Sequence, residues 1–245
     1  MPFALPLVHN AKEASKLKVP DLSASSLSVL FEIADKLREK AGEDAIFMLP
    51  DIQSPLDIAA LIWEKTDFYV ALVEEPEAVL EVMEKVKTLL VSFFDTWFER
   101  YGNEYIAHYP YYYMKGGITL SEDEVGSMSP HMFTQFALPN LTELSEHYGG
   151  IGIHCCANAR HQWDNFLKVP DLKLINLAQP EEIIKEAYKY FAKHTCQFHS
   201  WFGEGEPHTW PQQYPEDARI VMQVYAADKD QAIELAEKLW VACGR

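Results

Sequence analysis

Short apolar runs alternate with amphipathic stretches along most of the chain, a pattern that predicts parallel β-α units rather than a β-sandwich or a helical bundle. Residues 45–49 read as a strand and 55–63 as a helix. Val79, Val82, Met83, Val86, Leu89, Leu90 and Phe93 recur at three- and four-residue spacing, so 75–101 reads as one long helix with a single apolar face. Residues 104–114 and 118–120 are extended candidates. Ser129 is a helix N-cap followed by Pro130 at the first helical position, and Gly149 with Gly150 stops that helix. Beyond it, 151–155, 172–177, 196–201 and 219–225 read as short strands, and 180–193 and 228–241 as helices. The reading contains about six strands, and 203–215 is the one loop rich enough in Gly and Pro to act as a lid.

Composition narrows the class. A chain of 245 residues with 48% hydrophobic positions builds a sizeable core, and residues 1–245 are expected to form a single domain. Acidic residues number 37 against 21 basic ones, and the net charge of -16 repels nucleic acid and anionic membrane surfaces. No apolar run has membrane-spanning length, and the first residues lack a basic segment ahead of their short apolar piece. A cytoplasmic protein is expected. The four cysteines, two of them adjacent, do not make a spaced disulfide framework, which leaves reduced thiols available for metal.

Chemistry concentrates at Gly152-Ile153-His154-Cys155-Cys156-Ala157-Asn158, where a short strand ends and a loop begins. Alternate side chains of a strand share a face, so His154 and Cys156 point one way and Cys155 the other. An imidazole and a thiolate presented together are half of a zinc site. The alternative is a buried histidine flanked by two small hydrophobic cysteines. Cys155 reads as a packed core residue, and His131 and His147 as surface residues of an amphipathic helix. His194, His199 and His208 cluster with Cys196 around a late strand and its loop.

Several further motifs stand in order around this pair: Ser121-Glu122-Asp123-Glu124, Ser129-Pro130-His131-Met132-Phe133, Leu138-Pro139-Asn140-Leu141 and Tyr148-Gly149-Gly150. Upstream lie Leu17-Lys18-Val19-Pro20-Asp21-Leu22, Ser54-Pro55-Leu56 and Glu75-Pro76-Glu77-Ala78-Val79. With His154-Cys155-Cys156-Ala157-Asn158 they resemble the signatures of the uroporphyrinogen decarboxylase superfamily, from about Leu17 to Pro180. That superfamily contains a cofactor-free decarboxylase and zinc-dependent methyltransferases that move methyl groups between corrinoids and thiols. The resemblance implies an α/β fold of the (β/α)8 TIM-barrel type, shortened at its N-terminus in this chain. An uncovered parallel edge would favour a homodimer.

The resemblance to the methyltransferase branch implies zinc on His154 and Cys156. The relatives complete their site with a distant cysteine in a loop corresponding to 225–228, where this chain has none, so Cys196 is taken as the third ligand, with His199, Glu204 and Cys243 as the other candidates. Glu122 and Asp123 are candidate catalytic acids, and Ser121, Asn158, His199 and Tyr113 candidate substrate contacts. The implied methyl donor is a corrinoid carried on a separate small protein, the acceptor a small-molecule thiol, and Tyr111, Tyr113, Trp201 and Trp210 would line the mouth. The alternatives are porphyrin decarboxylation and a degenerate, non-catalytic paralogue. Decarboxylation needs a cationic clamp for a polycarboxylate, and the chain has only Arg38, Arg100, Arg160, Arg219 and Arg245.

Overall fold

A computed structural model describes residues 5–45, 47, 49–103, 106–108 and 112–244. Ile46, Met48 and Tyr111 therefore lie outside the described residues, as does the Tyr113 side chain. An antiparallel hairpin, β1 (Ile106–His108) and β2 (Tyr112–Met114), precedes a five-stranded parallel sheet. The sheet runs in sequence order through β3 (Ile118–Ser121), β4 (Ile151–Cys155), β5 (Leu172–Leu177), β6 (Cys196–Gln197) and β7 (Arg219–Ile220). Helices Leu138–Tyr148 and Glu181–Tyr190 make two of the crossovers, and helix Lys229–Ala242 follows β7. This is the α/β architecture of the barrel reading.

A sixth parallel position lies on the free side of β3. Ser121 N–H donates to the Ile52 carbonyl and Ser54 N–H to the Ser121 carbonyl, both at 2.8 Å, around a one-residue bridge between Gln53 and Ser121. The strand-like contact falls at 52–54, downstream of the apolar run 45–49, two of whose residues lie outside the described ones. Next, Ser54 caps helix Pro55–Ile62 by accepting the Asp57 N–H at 3.0 Å, with Pro55 in the first turn where a missing N–H costs nothing.

The long helix is Pro76–Tyr101. Its Val79, Val82, Met83, Val86, Leu90, Phe93, Phe94 and Trp97 are buried, each contributing on the order of 1.5–3 kcal/mol by leaving water. A separate helix, Lys65–Glu74, precedes it, a segment the apolar pattern had left unassigned. Gly149 takes φ 71° and ψ 37° at the end of Leu138–Tyr148, a left-handed conformation that stops the helix just before β4.

The two faces of the sheet differ. Ile118, Leu120, Ile151, Ile153, Cys155, Ile175 and Leu177 join the main core with the helices. Opposite parity places Ser121, His154, Leu174 and Asn176 together on the other face, where Leu174 packs with Met114 and Phe198 in a smaller apolar cluster. Cys155 is accordingly a core residue, and burial raises the proton affinity of its thiol.

β6 and β7 hold two residues each, shorter than the apolar runs 196–201 and 219–225 predict. Beyond Gln197 the backbone bonds from Phe198 N–H to the Ile175 carbonyl (3.0 Å) and from Ser200 N–H to the Leu177 carbonyl (3.2 Å) persist, but side chains replace the rung between them: Leu177 N–H donates to His199 Nδ1 at 3.1 Å, and Asn176 Nδ2 donates to the Phe198 carbonyl. The 203–215 loop is tied down by its own contacts rather than open. It contains the turn of helix Pro207–Gln213, Trp210 Nε1–H donates to the Gly205 carbonyl at 3.0 Å, and Trp210 stacks on Phe202. Among the described residues no helix is long and apolar enough to cross a membrane.

Candidate functional site

The C-terminal ends of parallel strands leave side chains and backbone groups facing a common mouth, and here they assemble one connected polar group. His154 closes β4 on the same face as Asn176 of β5, its register partner. Its ring Nδ1 contacts Asn176 Oδ1, and its Nε2 lies 2.9 Å from Cys156 Sγ. The Asn176 amide has its orientation set from the far side, because Nδ2 donates to the Phe198 carbonyl and a carbonyl can only accept. Oδ1 must then face the imidazole, so Nδ1 carries the proton and the Nε2 lone pair points at the thiol. A backbone carbonyl just past β6 thereby determines the tautomer of a histidine on β4.

Cys156 is held by its backbone. Its N–H donates to Asp123 Oδ1 and its carbonyl accepts from Gln179 Nε2, while its thiol is exposed. Partial burial, with the carboxylates of Asp123 and Asp51, pushes the thiol pKa up. Asp123 is placed in turn by Asp57, whose carboxylate accepts the N–H groups of Asp123 at 2.7 Å and Glu124 at 2.8 Å. Gly126 lets this loop lie against the one after β4, since a Cβ there would stand 2.5 Å from the Ala157 Cβ. Ser121 Oγ donates to Asp51 Oδ1 at 3.0 Å.

Of the expected site residues, His154, Cys156, Asp123 and Ser121 come together, with Asn158 exposed on the adjoining loop. Glu122 does not share their face. It is wholly buried beside Ser54 and Asp57, neither carboxylate oxygen has a partner of good geometry, and burial next to Asp57 raises its pKa well above the carboxylate range. Desolvation likewise raises Asp57.

Cys196 pairs with Leu174 while His154 pairs with Asn176, so Cys196 sits two residues lower on the sheet and two strands away. That separation, about 7 Å along the strands and 10 Å across them from ordinary sheet spacings, keeps it from sharing a metal ion with His154. His199 faces the helix side. Its Nε2 meets Gln197 Oε1 at 3.0 Å, it packs on Tyr188, and burial lowers its pKa to about 3, so it is a neutral structural histidine rather than a substrate contact. Trp201 packs on Tyr188 and Tyr214 under the Lys185 ammonium. His131 and His147 are exposed, as expected.

His154 and Cys156 fit two positions of a zinc site in residue type, in the orientation of the Nε2 lone pair, and in the hydrogen bond behind Nδ1. Among the described residues no group of three or more His, Cys, Asp and Glu side chains is disposed to hold a metal. Asn176, Asp57 and Asp51 are the contributors the sequence did not single out. Only Asp57 carried a local signal, in the Ser54-Pro55-Leu56-Asp57 capping pattern.

The sequence profile of the uroporphyrinogen decarboxylase (URO-D) family matches residues 2–197. A methyltransferase from Methanosarcina mazei is similar in structure, with a TM-score of 0.65, 12% identity, and coverage of 100% of this chain and 71% of that one. At that identity the likeness is one of fold. No curated protein matches the chain.

Proposed function

The chain belongs to the uroporphyrinogen decarboxylase family, and from that premise we propose that it is a methyltransferase that moves a methyl group between a corrinoid and a thiol. The observation that carries this reading is the 2.9 Å contact between His154 Nε2 and Cys156 Sγ, with Nδ1 fixed by Asn176. Zinc held by this pair would supply the positive charge that keeps a ligated small-molecule thiol deprotonated at neutral pH and still nucleophilic. Asn176 keeps the His154 lone pair directed at the metal position. Asp123 holds the Cys156 backbone, and Asp57 holds Asp123. The methyl donor is a methylated corrinoid, delivered by a small carrier protein to the open mouth at the strand ends.

Charge favours this reading over porphyrin decarboxylation. Asp123 and Asp51 stand at the strand ends, on the Cys156 N–H and the Ser121 hydroxyl, while the described arginines serve elsewhere: Arg38 covers Phe47, Arg100 meets Asp35, Arg160 meets Glu186, and Arg219 binds the His194 carbonyl. A substrate with many carboxylates would meet carboxylates rather than a cationic clamp. The test is to incubate the zinc-supplemented protein with methylcobalamin and a series of thiols, following the corrinoid absorbance, and in parallel with uroporphyrinogen. Thiol-dependent demethylation supports the reading. Porphyrinogen consumption without methyl transfer overturns it in favour of the decarboxylase.

A further inference from the structure

A cleft of about 360 Å³ opens beside Ser121, walled by Leu30, Ile58, Leu90 and Phe93, with Asp51 and Gln53 as its polar members. Asp51 and Gln53 link it to the site. Gln53 bridges Ser121 in the sheet, Asp51 accepts the Ser121 hydroxyl at 3.0 Å, and Ser121 is the register partner of His154. An apolar pocket with one or two converging polar groups is the usual form of a small-molecule site. Here the polar group is a carboxylate at the rim, on the side of the reactive thiol.

The electrostatic surroundings are one-sided. Asp51 meets the Ser121 hydroxyl and Asp123 the Cys156 N–H, and among the described residues the ion pair made by the neighbouring acids is Lys65 with Glu124 at 2.6 Å. A sulfonate or carboxylate tail on the incoming thiol would be brought against these two acids beside a low-dielectric wall, where like charges repel more strongly than in water. An ammonium there would meet a complementary charge.

We propose that this cleft receives the apolar part of a cationic small molecule, an aminothiol as methyl acceptor, whose ammonium rests on Asp51 and whose sulphur reaches the His154–Cys156 pair. The identity of the acceptor rests on the proposed methyl transfer, but the selectivity of the cleft can be measured without turnover. Hexylammonium, hexanesulfonate and hexanol serve as unreactive probes in calorimetric titrations of the intact protein, of Asp51→Asn, and of Leu30→Trp, whose indole fills the cleft from a half-buried position.

Hexylammonium should bind at least about fivefold more tightly than hexanesulfonate, the size of a partly exposed charge contact. That advantage should vanish in Asp51→Asn, and all three probes should lose binding in Leu30→Trp with the melting temperature retained. Equal binding of the two ions, or binding indifferent to both variants, would overturn the proposal. So would a dimer in sedimentation that Leu30→Trp dissociates, because the cleft would then be covered by a second copy. In the methyl-transfer assay cysteamine should outperform mercaptoethanesulfonate. Transfer to no thiol would refute the reaction, and the probe titrations would still decide the selectivity of the cleft.

Discussion

Asn176 Nδ2 donates to the Phe198 carbonyl while its Oδ1 meets His154 Nδ1, so the residue that orients the candidate metal-binding histidine is itself oriented by the neighbouring strand. Replacing Asn176 by Leu removes both contacts at a buried position. Zinc affinity, measured against a competing chelator, should fall about 10- to 100-fold, as for other losses of a group behind a metal-binding histidine. Loss of the Asn176 hydrogen bond to the Phe198 carbonyl should cost about 1–3 kcal/mol in urea unfolding.

Asp57 acts on the site only through backbone. Its carboxylate takes two N–H groups of the loop that carries Asp123, and Asp57→Ala leaves both donors buried and unpaired. Chemical denaturation should show a loss of about 1–3 kcal/mol, with zinc affinity reduced because Asp123 no longer fixes Cys156.

Cys196 belongs to a lower layer of the sheet than His154. Cys196→Ser should therefore bind zinc with unchanged stoichiometry and affinity, whereas Cys156→Ser should lose it. A common loss in both variants, read by metal analysis after dialysis, would contradict the placement.

His199 predicts a pH dependence. Burial holds its folded-state pKa at about 3, below the value of 6.5 for the free side chain. The unfolded chain therefore binds the extra proton, so this contribution to stability is complete above about pH 6.5 and is lost as pH falls towards 3, at up to about 1.4 kcal/mol per pH unit. Urea midpoints measured between pH 7 and pH 5 should fall for the native chain and change less for His199→Gln.

These residues also mark how far the sequence could be read. β4 and β5 have the bounds the apolar runs predict, because Gly149 and Gly150 end the preceding helix and both strands bury one face against helices. The His154–Cys156 pair was legible because strand parity is local. Asn176 was not, since its role depends on the register between β4 and β5, which no single segment encodes. The same register removes Cys196 from the site, and parity turns His199 towards Tyr188. β6 is shorter than its apolar run because the side chains of Asn176 and His199 take the rung between Leu177 and Phe198.

X-ray absorption on the zinc-loaded protein tests the central claim most directly. The account predicts a shell containing one imidazole nitrogen from His154 and one sulphur from Cys156 at about 2.3 Å, with one further sulphur at that distance when an acceptor thiol is added. A shell without sulphur, or one that an added thiol leaves unchanged, would contradict it.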